Sequence, residues 1–322
     1  NSITSTGTLF AYRPGDGTLV PNGGTVTIRG AGNRITSSGT IEARDGVAIQ
    51  GLISGSPATG TVLNNSGVIR NTNDTATNGS NAVNLGDGAQ VTNSGTIEMR
   101  GGGVSYALQV GPGSQIENQA SGVIRATETR TFMSGSSVDE GASGIRMEGN
   151  STLLNAGRIE AGATVSGEGV AVAIRGTGSA ITNTGTIDAT AAAYAIEMTG
   201  RVDATGRVSA TNSGTILGGS QGAIRISKGN GALVTLSTGS RIAGSVTVRD
   251  SVLVPRTDAE LGDPRIIDFC RRNPANNVCT TPATLLPVQA TLRLQGTGTE
   301  DDRLTGFNLI EKIGAGTWTL AT

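Results

Sequence analysis

A short phrase recurs eight times along the chain at a nearly constant interval. It consists of an apolar residue, a polar pair that often contains Asn, then Gly, one spacer and Ile, as in the segment Val91-Thr92-Asn93-Ser94-Gly95-Thr96-Ile97. The phrase glycines lie at positions 39, 67, 95, 122, 157, 185, 214 and 239, so successive copies are 28, 28, 27, 35, 28, 29 and 25 residues apart. A steady period of this length is typical of proteins that stack one structural unit on the next. The spacing therefore predicts a repeat protein.

Between the glycine phrases lies a second apolar phrase with period-two alternation. In Ala82-Val83, the larger apolar residue Val83 is followed two positions later by Leu85. In Ala107-Leu108, Leu108 is followed in the same way by Val110. Alternation of this kind predicts short strands with one inward face, and no window has the spacing of an amphipathic helix. About three strands in each unit of about 28 residues, separated by glycine corners, predict an all-β parallel β-helix of about nine to ten coils. A leucine-rich horseshoe lacks support because the leucine ladder is missing, and a propeller needs longer, aromatic-bearing units.

Asparagine and glycine occupy fixed places in the repeat. Glycine pairs such as Gly86-Asp87-Gly88, Gly111-Pro112-Gly113 and Gly176-Thr177-Gly178 form the corners, where we expect positive φ. The Asn column has two interpretations. Its members would stack as a hydrogen-bonded ladder inside a turn, or Asn is present because it tolerates turn geometry. The column comprises Asn65, Asn93, Asn155, Asn183 and Asn212.

The composition excludes several classes of function. The chain contains no histidine, which argues against a Ser-His-Asp or Cys-His relay and against a histidine-bound zinc or haem. Its formal net charge is −1, so no basic field is available to hold nucleic acid or an anionic membrane. We expect no cofactor and no metal. The chain begins at Asn1 without a basic and apolar leader, so we expect that any export signal was removed or lay upstream.

The coils differ in length mainly after the Ile of the glycine phrase. The longest insertion falls between Ile124 and Ile145. Insertions at one point of a repeat should form a ridge along one edge, and loops on a rigid scaffold often carry binding residues. The simpler interpretation is that this edge tolerates insertions. Under the first interpretation, the 127–142 loop is the main contact segment, with Arg130, Phe132 and Met133 as ligand-binding candidates.

A second interruption covers residues 251–290. It contains five of the nine prolines and both cysteines, Cys270 and Cys279. Two cysteines without histidine do not form a zinc site, and a redox-active pair is usually Cys-x-x-Cys, so we predict a structural disulfide and an oxidising environment. Arg271 and Arg272 in this loop are further binding candidates. The predicted organisation is β-helix coils over 1–250, a proline-rich loop insertion over 251–290, and C-terminal coils over 291–322.

The stretch Leu309 to Leu320 resembles the strand motif found near the C-terminus of bacterial type V autotransporter passenger domains. Leucine, lysine, glycine-x-glycine and threonine-tryptophan-threonine-leucine occur here in that order, and the Asn-Ser-Gly-Thr-Ile coils are also typical of such passengers, pertactin and the self-associating adhesins among them. The resemblance implies a right-handed β-helix displayed outside a Gram-negative cell, with a β-barrel translocator following Thr322. It also implies a folding role for Gly314, Gly316 and Trp318. The cysteine pair departs from the family, since most classical passengers avoid cysteine.

The expected function is that of a non-enzymatic surface adhesin or interaction module. Its partner would be a host protein, matrix or glycan ligand, or a second copy of the rod, because the coil faces carry many Thr, Ser and Asn residues and few charges. The alternative is a polysaccharide-cleaving β-helix, a lyase or a hydrolase, which needs paired or metal-binding carboxylates. The acidic clusters Asp139-Glu140 and Glu300-Asp301-Asp302 lie in loop-like contexts, where adjacent carboxylates are expected to be solvated.

Overall fold

The computed structural model describes most of the chain. The described part comprises residues 2–12, 24–44, 46–51, 58–73, 81–102, 105–130, 142–162, 169–199, 207–228, 231–248, 251–254, 271–272, 284–287 and 289–320. For residues 11–12, 24, 73, 102, 128–130, 228, 251–254 and 284–287, only the backbone is described.

Three long sheets run along the molecule. Sheet 1 has eleven strands: β1 (Ser2–Ser5), β4 (Arg34–Ser37), β7 (Val62–Asn65), β10 (Gln90–Asn93), β13 (Gln115–Asn118), β16 (Thr152–Asn155), β19 (Ala180–Asn183), β22 (Ser209–Asn212), β25 (Ala232–Leu236), β30 (Ala290–Gln295) and β33 (Leu309–Ile313). Sheet 2 has nine: β2 (Thr8–Tyr12), β5 (Thr40–Arg44), β8 (Val68–Asn73), β11 (Thr96–Gly102), β14 (Val123–Arg130), β17 (Arg158–Ala161), β20 (Thr186–Asp188), β23 (Thr215–Leu217) and β26 (Arg241–Ala243). Sheet 3 has ten: β3 (Gly24–Thr27), β6 (Val47–Gln50), β9 (Val83–Leu85), β12 (Tyr106–Val110), β15 (Ser143–Glu148), β18 (Val170–Arg175), β21 (Tyr194–Thr199), β24 (Gly222–Lys228), β27 (Val246–Val248) and β32 (Leu304–Thr305).

Two further pairs of strands lie outside these sheets. β28 (Ser251–Val254) and β29 (Thr284–Pro287) pair antiparallel within the interval 251–290, where the coil pattern is interrupted. β31 (Gly298–Glu300) and β34 (Trp318–Leu320) pair parallel near the C-terminal end.

In the three long sheets, each strand pairs in parallel with the equivalent strand of the neighbouring coil. The molecule is therefore a right-handed parallel β-helix, as predicted. Sheet 1 contributes eleven strands, slightly more than the nine to ten coils predicted, because the C-terminal coils add β30 and β33. Among the described residues, the helical positions are Arg271 and Arg272 alone, and no described helix has the length and apolarity needed to cross a membrane.

The interior is filled by aliphatic columns, one inward residue stacked above the next. In sheet 2, for example, Ile41, Ile69 and Ile97 are in register and fully buried, and Ile124 and Ile159 continue the column. Burying each such side chain stabilises the fold by about 1.5–3 kcal/mol relative to exposure. The period-two alternation of the sequence thus has the predicted cause, since alternate residues of each strand face this core.

Positive φ occurs at the predicted corners, at Gly88, Gly113, Gly176 and Gly178. The phrase glycines, apart from Gly239, do not have a positive φ and serve a different purpose. A Cβ atom on Gly67 would overlap the carbonyl oxygen of Gly39 one coil below, and the same overlap recurs at Gly95, Gly185 and Gly214. At the phrase positions, glycine is therefore needed because successive turns approach each other closely.

Candidate functional site

Most of the predicted binding side chains lie outside the part of the chain that the structure describes. Arg130 ends β14, where only the backbone is described, and Arg271 and Arg272 are exposed. Phe132, Met133, Cys270 and Cys279 lie outside the described residues, and the described part of the chain contains no disulfide. The binding roles and the disulfide therefore stay predictions.

An asparagine ladder runs inside the turn that joins sheets 1 and 2. Each side-chain Nδ2 donates to the Oδ1 of the next coil, at 2.8 Å from Asn65 to Asn93 and 2.9 Å from Asn93 to Asn118. The ladder continues through Asn155 and Asn183 to Asn212, so the ladder interpretation of the Asn column is confirmed. Asn118 was missed because it precedes its glycine by four residues instead of two. Its position beside Ile116 in the alternating strand pattern was the signal that could have found it.

The outer face of sheet 2 carries an alternating charge ladder that was also missed. The charge of the residue after each phrase Ile changes sign from one coil to the next. In order along the rod, these residues are Glu42, Arg70, Glu98 and Arg125. Arg70 Nη2 lies 2.5 Å from Glu42 Oε2, and Arg125 Nη2 lies 3.1 Å from Glu98 Oε1. These charges largely neutralise one another along the rod, so this column acts as a brace between coils.

The outer face of sheet 3 contains buried, paired charges. Glu197 is only 3% exposed and is flanked by Arg175, whose Nη2 lies 3.1 Å from Oε2, and by Arg225. The Arg225 guanidinium also lies 4.5 Å from the centre of the Tyr194 ring. Burial lowers the pKa of Arg225, but its hydrogen bond and Coulombic attraction to Glu197 outweigh that effect and raise the pKa above its ordinary value. This group is held by its own partners and tightens the inter-coil packing.

The outer face of sheet 1 differs from both, because it is flat and mostly uncharged. Its two outward columns consist largely of Thr, Ser, Asn and Gln, and the charged members are Arg34, Glu117, Arg293 and Glu311. Leu154, on the sixth of the eleven strands, is 54% exposed between Glu117 and Thr182. A regular array of small donors and acceptors surrounds the central Leu154, and a second exposed leucine, Leu309, lies on the last strand. Such a face can form many weak contacts with a flat partner. Sheet 1 is therefore the candidate interaction surface.

The acidic clusters do not form a catalytic pair among the described residues. Asp139 and Glu140 lie outside them, while Glu300 is in β31 and only 2% exposed, so its predicted solvation was wrong. Burial raises the pKa of Glu300 to about 7. A raised pKa suits a general acid, but the Glu300 carboxyl is enclosed and not open to a substrate. The neighbouring Asp302 carboxylate is engaged in the fold, because its Oδ2 accepts a hydrogen bond from Gly244 N at 2.9 Å. Within the described residues, no group of three or more acidic or cysteine side chains is placed to bind a metal ion.

The C-terminal motif closes the last coils. Gly298 lacks a side chain where the Trp318 ring packs, and Trp318 Nε1 donates to Gln295 O at 3.3 Å. Gly314 and Gly316 have φ of 68° and 102°, values that favour glycine. Lys312 lies in the Asn-ladder column, and its Nζ donates to two turn carbonyls, those of Ile313 and Gly314, at 2.9 Å each. Lys312 thus donates to the carbonyl groups of the turn in the last coil, beyond the end of the asparagine ladder.

No protein-family model, curated protein or solved structure significantly matches this chain, so similarity assigns it no family.

Proposed function

We propose that the chain is the passenger domain of a bacterial type V autotransporter and acts as a non-enzymatic adhesin at the Gram-negative cell surface. The parallel β-helix and the Leu309–Leu320 motif support this assignment. The exposed outer face of sheet 1 is the single observation that carries the adhesive role, because it is a long, regular surface whose described charge pair, Arg293–Glu311, lies at one end. Its favoured partner is a second copy of the rod, and a host ligand is the other possible outcome of the test.

The size of the sheet 1 face is sufficient for a stable interface. Eleven strands at about 4.8 Å spacing give a length of about 50 Å, and two outward residues per strand give a width of about 15 Å. The face therefore offers about 700 Å² per partner, or about 1,400 Å² in a dimer, which lies within the standard size of specific interfaces.

The face is also complementary to itself. A two-fold axis through Leu154, on the central strand, would pack the two leucines together and place Glu117 of each copy opposite Thr182 of the other. Near the ends, Arg34 would approach the Arg293–Glu311 ion pair, whose N–O distance is 2.5 Å. Hydroxyl and amide side chains both donate and accept, so the remaining positions can pair with their own kind. An antiparallel pair of rods satisfies these conditions with one repeated surface.

Sedimentation velocity of the full chain tests the proposal. We expect concentration-dependent dimerisation that Leu154→Lys weakens by at least about tenfold, since the axis would bring two ammonium groups together. The matched control is Leu217→Lys, an outward and half-buried position on sheet 2, which should leave the dimer unchanged. A chain that stays monomeric, or that responds equally to both substitutions, contradicts self-association through sheet 1. Binding of the monomer to host matrix proteins or glycans would then identify the other class of partner.

A further inference from the structure

The hydrogen-bonded ladder of sheet 2 is interrupted near its C-terminal end. The nine-stranded sheet stops at β26, and the following strand in that position, β31, is paired with β34 in a separate two-stranded sheet. The flanking strands β30 and β32 keep backbone pairing with the preceding coil, but β31 itself does not. Beside β31, the described contacts to that coil are made to side chains: Gly244 N donates to Asp302 Oδ2 at 2.9 Å, and Thr297 N donates to Thr238 Oγ1 at 3.0 Å. A unit attached in this way should detach more readily than a coil held by a continuous ladder.

A buried carboxyl group lies at this interruption. Glu300 is 2% exposed, and its Oε1 accepts a hydrogen bond from Asp302 N at 3.3 Å. Its Oε2 has no hydrogen-bond partner within the described residues. Its register partner is Leu320, and Gly298 two residues earlier is opposite Trp318. An ionised carboxylate with an unpaired oxygen is costly in these surroundings, whereas a protonated carboxyl is not.

The charged groups near Glu300 do not offset that cost. Asp301 and Asp302 follow it directly, and β34 contributes Trp318, Thr319 and Leu320, none of which ionises near neutral pH. Among the other basic side chains of the end coils, Arg241 and Arg303 are exposed, and Lys312 donates to carbonyl groups of its own turn. Burial is the main cause of the raised pKa of Glu300, about 7; the Asp302 N–H opposes it, and the charges of Asp302 and Asp301 add to it.

We propose that Glu300 is a proton-controlled clasp that holds the β31–β34 unit against the end of the rod. When the carboxyl is protonated, the unit packs on the preceding coil and Trp318 stays in place over Gly298. When the carboxyl loses its proton, the unit opens locally: β31 leaves the preceding coil and separates from β34, which exposes the Trp318 ring. This inference does not depend on the adhesive function.

The direction of the pH effect follows from the raised pKa of Glu300. The pKa is raised from 4.5 in the exposed group to about 7 in the closed unit, so the clasp is strongest below pH 4.5 and weakens as pH rises from 4.5 to about 7. Above that range no further weakening is expected. The equilibrium constant for closing the unit should fall by up to about 300-fold between pH 4.5 and about pH 7. This factor is the ratio of the two acid dissociation constants of Glu300, in the open and the closed unit.

Amide hydrogen exchange across this pH range tests the clasp. After correction for the intrinsic exchange rate, we expect the protection of β31 and β34 to fall by up to about 300-fold between about pH 4.5 and about pH 8, while that of β16 stays constant. Glu300→Gln should remove the pH dependence and keep the unit closed at pH 8. Asp301→Asn, the matched control, should retain most of it. Trp318 is the only tryptophan, so acrylamide quenching of its fluorescence should report the same transition.

Two results would overturn the proposal. One is constant protection of β31 and β34 in the unmodified chain, which needs no variant to observe. The other is a pH dependence that persists unchanged in Glu300→Gln.

Discussion

Replacing Asn155 with alanine interrupts the asparagine ladder at its centre. Asn155 Oδ1 accepts from Asn118 Nδ2 at 2.8 Å, and its own Nδ2 donates to Asn183 Oδ1 at 2.7 Å and to Thr186 O at 3.2 Å. The residue is 1% exposed, so water does not reach the groups that the substitution leaves behind. Asn118 keeps its backbone acceptors, the carbonyls of Gly122 and Arg158, but Asn183 Oδ1 loses its donor.

The expected cost follows from these contacts. Two buried side-chain hydrogen bonds contribute about 0.5–1.5 kcal/mol each, and an unsatisfied buried acceptor costs a further 1–3 kcal/mol or so. Asn155→Ala should therefore lower the free energy of unfolding by about 3 kcal/mol. Asn155→Leu should not restore it, because the neighbouring amides still lack their partner. Leucine is accommodated in the same column at Leu236 and Leu294, beyond the last asparagine of the ladder.

Urea unfolding followed by circular dichroism measures the loss, and amide exchange of the neighbouring coils tests whether unfolding stays cooperative, since each coil contacts only its neighbours. Ser37→Ala is the matched control. Ser37 occupies the same column and is fully buried, but its Oγ has no hydrogen-bond partner among the described residues, so its removal should be neutral or slightly stabilising. Equal effects of Asn155→Ala and Ser37→Ala would refute the assignment of stability to the ladder.

Two further predictions concern contacts between coils. Gly67→Ala should destabilise the protein by at least about 2 kcal/mol in thermal or urea unfolding, because its Cβ would overlap the carbonyl oxygen of Gly39; Gly7→Ala, which meets no atom within 4 Å, should have little effect, and equal losses would contradict the close-approach argument. A double-mutant cycle with Glu98→Ala and Arg125→Ala should give a coupling of about 0.5 kcal/mol that decreases at high salt, because the Arg125 side chain is 43% exposed; a coupling insensitive to salt would show that packing, not charge, joins these residues.

The self-similarity of the sequence predicted most of the coil architecture. In a parallel β-helix, residues one period apart are neighbours in space, so aligning the copies of the phrase also aligns the contacts. This is why Asn93 and Asn65 could be paired from their 28-residue separation alone. The same alignment contains the charge alternation of Glu42 and Arg70, which lies one residue after the phrase Ile and was missed because it is outside the phrase.

Other features depended on distances that one sequence does not contain. Glycine at position 67 is compatible with either a positive φ or a close approach, and only the stacked coils show that a carbonyl oxygen occupies the place of its Cβ. Glu300 has the local sequence of a solvated acidic turn, but β31 places it in a buried position opposite β34.

The sequence by itself determined the period, the strand alternation and the ladder position, because each depends on residues that repeat at a fixed interval. The tertiary structure alone decided which face stays open and where the repeat ends. Leu154 is exposed because no described segment covers the middle of sheet 1, and Glu300 is buried because the chain returns from the interruption at 251–290 to add its last coils. Burial at such places depends on where distant segments pack, and no local pattern records that.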